Sequence, residues 1–272
     1  MDDGTKFFTF ALWGAVAFKF VWDGLHGGAS LYRPNRYPQW RLLARPRHVQ
    51  VSLSPRAWRI WYWARWVSLA LIAADTAGGG PWVILALTLF HEIVLDKKFH
   101  TQLLFICCLW AALFEASIWS GIAGQSEAFV GAVSLVAVVT PVYWNSAYIK
   151  FKSPGYLSGE ALRVALLGFS VEGPRAGVHE FLFGVRPPEP FLARIGVRWA
   201  LRWGSRIAAG LEVLLPLMLL TPATFFFAAV LGVCLHFAFW ALLPGKLLPF
   251  QLVMLSSYAA FESTGHAVWS WG

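Results

Sequence analysis

The sequence predicts an all-α fold, a polytopic bundle of about eight transmembrane helices that forms one domain over residues 1–272. Of the 272 residues, 58% are hydrophobic and 13% are charged, about half the charged share of an ordinary soluble domain. Apolar stretches close to the roughly 20 residues that a helix needs to cross a bilayer recur along the whole chain. Sixteen tryptophans suit the membrane–water interfaces, where the ring contacts lipid and its N–H contacts water. We therefore expect the lipid bilayer to be the main partner of the chain.

The first four crossings are predicted from apolar runs and the polar segments between them. The first span, residues 7–22, is preceded by two aspartates and a single lysine and is followed by no small-residue cleavage site, so we expect it to be retained. Residues 23–56 are rich in proline and arginine and are expected to form a basic loop. Two further spans, 58–77 and 82–95, flank a Gly-Gly-Gly-Pro run, and a fourth covers 102–120.

The second half of the chain is predicted to contain four more crossings and one interfacial segment. A fifth span, 128–149, ends at Lys150. Between 151 and 205, proline, glycine and charged residues interrupt apolar runs that are too short to cross, such as 161–169 and 191–201, so we expect interfacial or re-entrant helices there. The last three spans are predicted at 206–220, 225–243 and 247–268.

The placement of the basic residues predicts the orientation of the bundle. Lysine and arginine are enriched in cytoplasmic loops, and they occur here in the loop 23–56, the turn 96–98 and the segment 151–205. We therefore expect these loops to be cytoplasmic, with both termini outside and the chain in the inner membrane of a bacterium. The net charge of +8 does not indicate nucleic-acid binding, because the arginines alternate with tryptophans beside apolar spans.

Ionisable residues at membrane depth are the best candidates for function, because a charged side chain at the bilayer centre costs on the order of 3 kcal/mol. Six of them fall at similar depth in the cytoplasmic half and could surround one cavity. Two structural alternatives stay open: such residues can only hydrogen-bond a neighbouring helix, and a lysine at a helix end can extend to the headgroups. The six residues are His91, Glu92, His100, Lys150, Glu212 and His236.

Several kinds of site are not indicated by the sequence. Asp75, Glu115, Glu262 and His266 are scattered near helix ends in the outer half and are weaker candidates. The histidines lack the close pairs of zinc or di-iron sites, and the nucleophile-elbow, phosphate-loop and Cys-x-x-Cys motifs do not occur, so no metal is predicted. A haem between histidines of facing helices remains geometrically possible. The three cysteines lie in apolar runs and predict no disulfide.

Four short motifs in a fixed order carry a resemblance to a known family. The segment 143–150, which begins Tyr-Trp and ends in Lys150, is followed by an aromatic-Leu-Ser-Gly segment at 156–159. His100 opens a helix after a polar turn, Glu212 lies in a later helix, and His236 lies in the next. In these motifs the chain resembles the superfamily of the vitamin K-dependent gamma-carboxylase and the bacterial horizontally transferred transmembrane (HTTM) domains.

The resemblance implies a set of catalytic residues. In the carboxylase, a lysine at the position that Lys150 resembles is the base that deprotonates a reduced naphthoquinone, which then reacts with oxygen. By this resemblance Lys150 is the general base, His100 assists it, and Glu212 and His236 orient the network. A lysine desolvated in an apolar site loses affinity for its proton, which makes this role physically reasonable.

The resulting hypothesis is a membrane enzyme that acts on an apolar substrate, either quinone-like or lipidic, with a reduced quinone as the possible cofactor. The residues expected to contact the substrate are Tyr143, Trp144, Tyr156 and His91. The carboxylase site faces the lumen, whereas the basic loops place Lys150 toward the cytoplasm, so the face to which the site opens stays undecided. The alternative is a non-catalytic transporter or a structural subunit of a larger membrane complex.

Overall fold

The computed structural model describes residues 3–25, 54–76, 78–95, 99–119, 127–172, 189–242 and 247–269. Within these ranges all regular secondary structure is helical and no strand occurs, so the all-α prediction is confirmed for the described part. Most of the predicted loop 23–56, the turn 96–98 and residues 173–188 of the interfacial segment lie outside the described residues.

The described part contains twelve helices. The first six are α1 (Asp3–Leu25), α2 (Pro55–Ala73), α3 (Gly80–Leu95), α4 (Phe99–Trp119), α5 (Glu127–Phe151) and α6 (Pro154–Leu157). The other six are α7 (Glu160–Glu172), α8 (Glu189–Leu192), α9 (Ile195–Leu219), α10 (Pro222–Leu242), α11 (Leu248–Ser256) and α12 (Tyr258–Trp269).

Three helices are long and apolar enough to cross a membrane. They correspond to Gly4–Leu25 in α1, Val130–Phe151 in α5 and Pro222–Trp240 in α10. Two shorter apolar stretches, Gly80–Val94 and His100–Ala116, form most of α3 and α4. A helix therefore lies over each predicted span, and three of the helices meet the length and composition of a crossing.

Serine–proline pairs define where two of the helices begin. The side chain of Ser54 accepts a hydrogen bond from the backbone N–H of Ala57 at the start of α2 (3.2 Å), and Ser153 accepts one from Tyr156 at the start of α6 (3.3 Å). In both helices a proline follows the serine, where its missing N–H costs nothing. The Ser153–Pro154 pair turns the chain sharply between α5 and α6 and places Tyr156 near Lys150.

Two predicted boundaries are wrong. The predicted interfacial helix 191–201 and the predicted span 206–220 are largely one helix, α9, which runs without interruption from Ile195 to Leu219. Gly204 does not break it, because the neighbouring Ser205 is fully buried and the helix packs on α6 and α7 in its first half and on α5 and α10 further along. In the last predicted span, the helix is interrupted at Ser257, whose hydroxyl donates back to the carbonyl of Met254 (2.6 Å) and so competes with the helix ladder.

The helices pack around one apolar core with α1 near its centre. The helix α1 contacts α11, α12 and α4, while α3 packs between α2 and α4. The helix α5 contacts both α9 and α12, which brings the two halves of the chain together. The largest fully buried side chains include Phe8, Trp82 and Phe261. This arrangement places the C-terminal ends of α5 and α10 beside the middle of α9 and the start of α4.

Candidate functional site

A cavity of about 250 Å³ lies where α5, α9, α10 and α11 meet the first turn of α4 and the short helix α6. Its walls are largely apolar, with Val142, Phe239 and Met254 among them. Polar groups reach it from six helices, which is the arrangement expected of a ligand pocket. These polar residues are His100, Tyr143, Ser146, Lys150, Tyr156, Glu212, His236 and Gln251.

Lys150 points into this cavity. Its ammonium group donates a hydrogen bond to Oε1 of Glu212, which lies on α9. The same nitrogen is 4.9 Å from the centre of the Phe239 ring and 5.3 Å from that of Tyr156. The two side chains are 16% and 5% exposed, so the ion pair is surrounded by aromatic rings and largely removed from water. The pair joins the end of α5 to the middle of α9.

A chain of three hydrogen-bonding side chains forms another wall of the cavity. The hydroxyl of Tyr143 lies 2.9 Å from Nε2 of His236 and 2.9 Å from the hydroxyl of Tyr258. Each tyrosine hydroxyl has one proton to donate. The protons along this row of hydrogen bonds therefore point either toward His236 or toward Tyr258. They can therefore pass a proton between α12 and α10.

A glycine allows Tyr258 to reach this position. A Cβ atom at Gly232 would lie 2.1 Å from the hydroxyl of Tyr258, so any larger residue in α10 would displace the tyrosine. The close approach of α10 and α12 at Gly232 is thus what completes the chain of hydrogen bonds from Tyr258 through Tyr143 to His236.

Three buried polar atoms of cavity-lining residues have no hydrogen-bond partner among the described residues. They are Nδ1 of His236, the hydroxyl oxygen of Tyr156 and Oε2 of Glu212. Burial, followed by the nearby Glu212 carboxylate, raises the pKa of Tyr156, so its hydroxyl stays neutral. A buried polar atom without a partner costs about 1–3 kcal/mol, which a ligand or a water molecule in the cavity would recover.

Six of the eight residues predicted from the sequence line this cavity. These are His100, Tyr143, Lys150, Tyr156, Glu212 and His236. The other two lie elsewhere. Trp144 is 45% exposed on the outer side of α5, where its indole N–H donates to the carbonyl of Val213 (3.2 Å). His91 is buried in α3 and belongs to a different cluster.

That second cluster joins α1, α2 and α3 through charged groups. The carboxylate of Glu92, beside His91, forms ion pairs with α1 and α2. Its Oε2 lies 2.6 Å from Nζ of Lys19 in α1, and its Oε1 lies 2.9 Å from Nη1 of Arg65 in α2. Lys19 also pairs with Asp23 on its own helix at 2.5 Å. Within the described part of this network, two cations face two anions, which favours a structural role for it. The six ionisable residues expected around one cavity are therefore divided between two places.

The sequence interpretation missed four residues that take part in these two clusters. Tyr258 and Gln251 lie in the last predicted span. Neither is charged at neutral pH, so neither stood out among the ionisable residues expected at membrane depth. Lys19 and Arg65 lie inside predicted spans, and the four-residue spacing of Lys19 and Asp23 on one helix face was the signal that could have identified the first of them.

An apolar groove of about 550 Å³ adjoins the cavity. Tyr156, Leu162 and Phe239 line both spaces. Beyond this shared wall the groove runs between α9 and α10, past small residues such as Ala200 and Gly204. Its lining contains few polar atoms, so it suits a hydrocarbon chain.

A further cavity, of about 360 Å³, lies at the opposite ends of the helices. It is lined by Lys6 at the start of α1, Asp75 after α2 and Glu115 in α4. These residues lie in the outer half of the predicted bundle, where only weaker candidates for function were expected. No group of three or more metal-ligating side chains is found among the described residues here or at the other sites.

The fold and the main cavity define a class of protein: a helical bundle with membrane-length apolar helices and a buried Lys–Glu pair in a ligand-sized pocket. A scan against protein-family models found no matching family, and searches of curated proteins and of solved structures found no match.

Proposed function

We propose that the chain is an integral membrane protein with eight crossings, formed by α1 to α5, α9, α10 and the pair α11–α12. Three of these helices have the length and apolar composition of a membrane span. The others are held against them in the same bundle, and many of their apolar side chains face outward, such as Leu113 in α4 and Leu217 in α9. Basic residues near the ends of α5 and α9 support a cytoplasmic position for that end of the bundle. The inner membrane of a bacterium is the proposed location.

The proposed activity is that of a membrane enzyme which binds a quinone-like or lipidic substrate in the main cavity and uses Lys150 as a general base. The observation that carries the proposal is the buried Lys150–Glu212 pair on the wall of an apolar pocket. A buried ion pair of this kind is costly to maintain and is seldom the most stable choice for a core, so its presence in a pocket favours a chemical role.

A reduced quinone ring fits the residues of the cavity. The volume of about 250 Å³ is slightly below the roughly 300 Å³ of the smallest typical ligand pockets, which suits a compact ring more than a whole lipid. Tyr156 and His236 offer buried polar atoms that lack protein partners among the described residues, and these can hydrogen-bond the oxygen atoms of the ring. When bound, such a ring supplies an acidic hydroxyl and a transferable electron pair.

The chain's own residues then have the following roles. In an apolar site both charges of the pair are disfavoured, so a proton of Lys150 can move to Glu212 and leave a neutral amine beside a carboxylic acid. The amine accepts a proton from a substrate hydroxyl: the O–H bond breaks, an N–H bond forms, and the electron pair remains on the oxygen. His100 and His236 position the hydroxyl, and the Tyr143–Tyr258 chain returns protons to His236.

The groove beside the cavity supports a substrate with a long apolar tail. Because Tyr156, Leu162 and Phe239 line both spaces, a ring in the cavity can extend a hydrocarbon chain past them into the groove. The larger volume of the groove and its apolar walls fit an isoprenoid or acyl chain. A substrate with a polar head and an apolar tail would use both spaces at once.

The test uses menadiol, a methyl-substituted naphthohydroquinone, with the purified chain in detergent. We expect the wild type to accelerate oxygen uptake and the Lys150→Met variant to lose about 100-fold or more of that acceleration, the usual contribution of a general base. The matched control is Lys152→Met, which removes an exposed lysine two residues away that stacks on Tyr148; its rate should stay within about twofold of the wild type.

Either of two results would contradict the proposal. One is a Lys150→Met variant that keeps the wild-type rate, and the other is an equal loss in the Lys150 and Lys152 variants. The alternative function, a transporter or a subunit of a larger complex, predicts that the wild type binds the ring but does not accelerate oxygen uptake. Ligand binding measured on the same samples separates the two.

A further inference from the structure

A polar pocket of about 330 Å³ lies on the surface where the turn before α7 packs against α9. Three arginines surround it: Arg163 from α7 and Arg198 and Arg202 from α9. The hydroxyl-bearing Ser158 and the carboxylate of Glu160 complete its polar wall. None of these residues belongs to the main cavity.

Gly159 brings the turn close enough to α9 to form this pocket. Its backbone has a positive φ of 79°, and a Cβ atom there would lie 2.6 Å from the backbone nitrogen of Arg202. Only glycine adopts this conformation and allows this approach without strain. Backbone packing at Gly159 therefore fixes the points from which the three arginine side chains extend toward the pocket.

The pocket carries an excess of positive charge. Arg163 uses two of its nitrogens to hold Glu160, at 2.6 and 2.9 Å, and these hydrogen bonds keep the pKa of Glu160 below its ordinary value, so that it remains a carboxylate. Arg198 interacts with the same carboxylate only through its charge. Arg202 hydrogen-bonds to no described residue. Among the described residues, three arginines thus surround one carboxylate in the pocket, and a second carboxylate, Glu189, acts on Arg163 through its charge. The guanidinium of Arg202 is available for an anionic ligand.

The surroundings of the pocket indicate which anion it meets. Arg194, Arg198, Arg202 and Arg206 follow one another at four-residue intervals along α9, so they form a basic stripe about 18 Å long at a rise of 1.5 Å per residue. The same part of the helix exposes Ile195, Trp199 and Trp203. A stripe of arginines beside a stripe of exposed tryptophans, with the Arg206 guanidinium 5.3 Å from the centre of the Trp203 ring, is typical of a helix at the headgroup level of a membrane. The anion expected there is a lipid headgroup.

We propose that this pocket, formed by Ser158, Arg163, Arg198 and Arg202, binds the phosphate of an anionic phospholipid headgroup. A planar guanidinium binds phosphate oxygens in pairs, and a fork on each of two turns of α9 can hold one phosphate from two sides. The bound lipid would anchor α9 and the α6–α7 turn at the cytoplasmic interface. This inference rests on the membrane placement proposed above and is independent of the catalytic role of Lys150.

The test measures binding of short-chain phosphatidylglycerol to the purified chain in detergent by native mass spectrometry, with short-chain phosphatidylcholine as the zwitterionic comparison. We expect phosphatidylglycerol to bind more tightly. The double variant Arg198→Gln/Arg202→Gln should weaken its binding by about 25-fold, which corresponds to two lipid–arginine contacts at about fivefold each. The matched control, Arg56→Gln/Arg59→Gln, removes two exposed arginines from the start of α2 and should change binding by less than about threefold.

Two results would overturn the proposal. An equal loss in the two double variants would mean that binding depends on overall charge and not on this pocket. Displacement of phosphatidylglycerol by inorganic phosphate at equal concentration would assign the pocket to free phosphate. If the double variant does not fold, Arg202→Lys keeps the charge and loses the fork, and it should weaken binding severalfold while Arg56→Lys does not. Because this experiment measures binding and involves no catalysis, its failure would not contradict the role proposed for Lys150.

Discussion

Lys150 and Glu212 form a contact that the sequence alone could not show. Both residues were expected at similar depth because each lies a few residues from the end of a predicted span. Depth along a helix is set by residue count, whereas the direction of a side chain around the helix depends on which neighbours pack against it. The aromatic rings of Phe239 and Tyr156 decide that direction for Lys150. The pairing with Glu212 is therefore a property of tertiary packing.

The substitution Glu212→Gln tests how much stability depends on this pair. It leaves the Lys150 ammonium buried without a carboxylate, so we expect the free energy of unfolding to fall by about 3 kcal/mol. Thermal unfolding in detergent, followed by circular dichroism, measures the change. Glu262→Gln, an exposed carboxylate in α12, is the control and should shift stability by no more than about 0.5 kcal/mol.

A second variant separates loss of the pair from loss of packing. In Lys150→Met/Glu212→Leu both charges are replaced by apolar groups of similar size, and we expect most of the lost stability to return. If Glu212→Gln unfolds at the wild-type temperature, the two residues do not form a buried ion pair in the protein.

At the scale of helices, the sequence identified where helices occur better than where they end. Each predicted span is helical because a long apolar run has few alternatives once its backbone is removed from water. The length of α9 was underestimated because four arginines, two glycines and a serine between residues 194 and 206 resemble a polar linker. These arginines fall at four-residue spacing, so a helix can place them in one stripe. The stripe lies beside the α6–α7 turn, where Gly159 approaches Arg202 and Arg206 donates to the carbonyl of Leu157.

The cluster around Glu92 predicts a second destabilised variant with a different functional outcome. Glu92→Gln leaves Lys19 and Arg65 without their shared carboxylate at the junction of α1, α2 and α3, so we expect a loss of about 3 kcal/mol in thermal unfolding. Because none of these three residues lines the main cavity, the folded fraction should bind menadiol with the wild-type affinity. Loss of binding in this variant at temperatures where it is folded would show that the two clusters act together.

At the scale of the whole molecule, composition was sufficient to predict an all-helical fold, which the described residues confirm, and three of the helices have the length and apolar composition of a membrane span. Lipid as the main partner stays a prediction. The sequence predicted only in part that six of the candidate residues would line one cavity. The order of motifs along the chain does not specify which helices become neighbours, and His91 shows this, because it has the expected depth but packs beside α1 and α2. The basic pocket on α9 was missed because it depends on the close approach of Gly159 to Arg202.

Photo-crosslinking shows whether the main cavity binds the ring of the proposed substrate. The probe is a naphthoquinone that carries a diazirine on its ring, reduced and bound to the chain in detergent. Mass spectrometry then locates the crosslinked residues. The account predicts labels within 142–156 on α5 and α6 and within 236–239 on α10, competed away by menadiol and reduced in Lys150→Met but not in Lys152→Met. Labels spread over the lipid-facing residues of many helices, or concentrated in the cavity near Lys6 and Glu115, would contradict it.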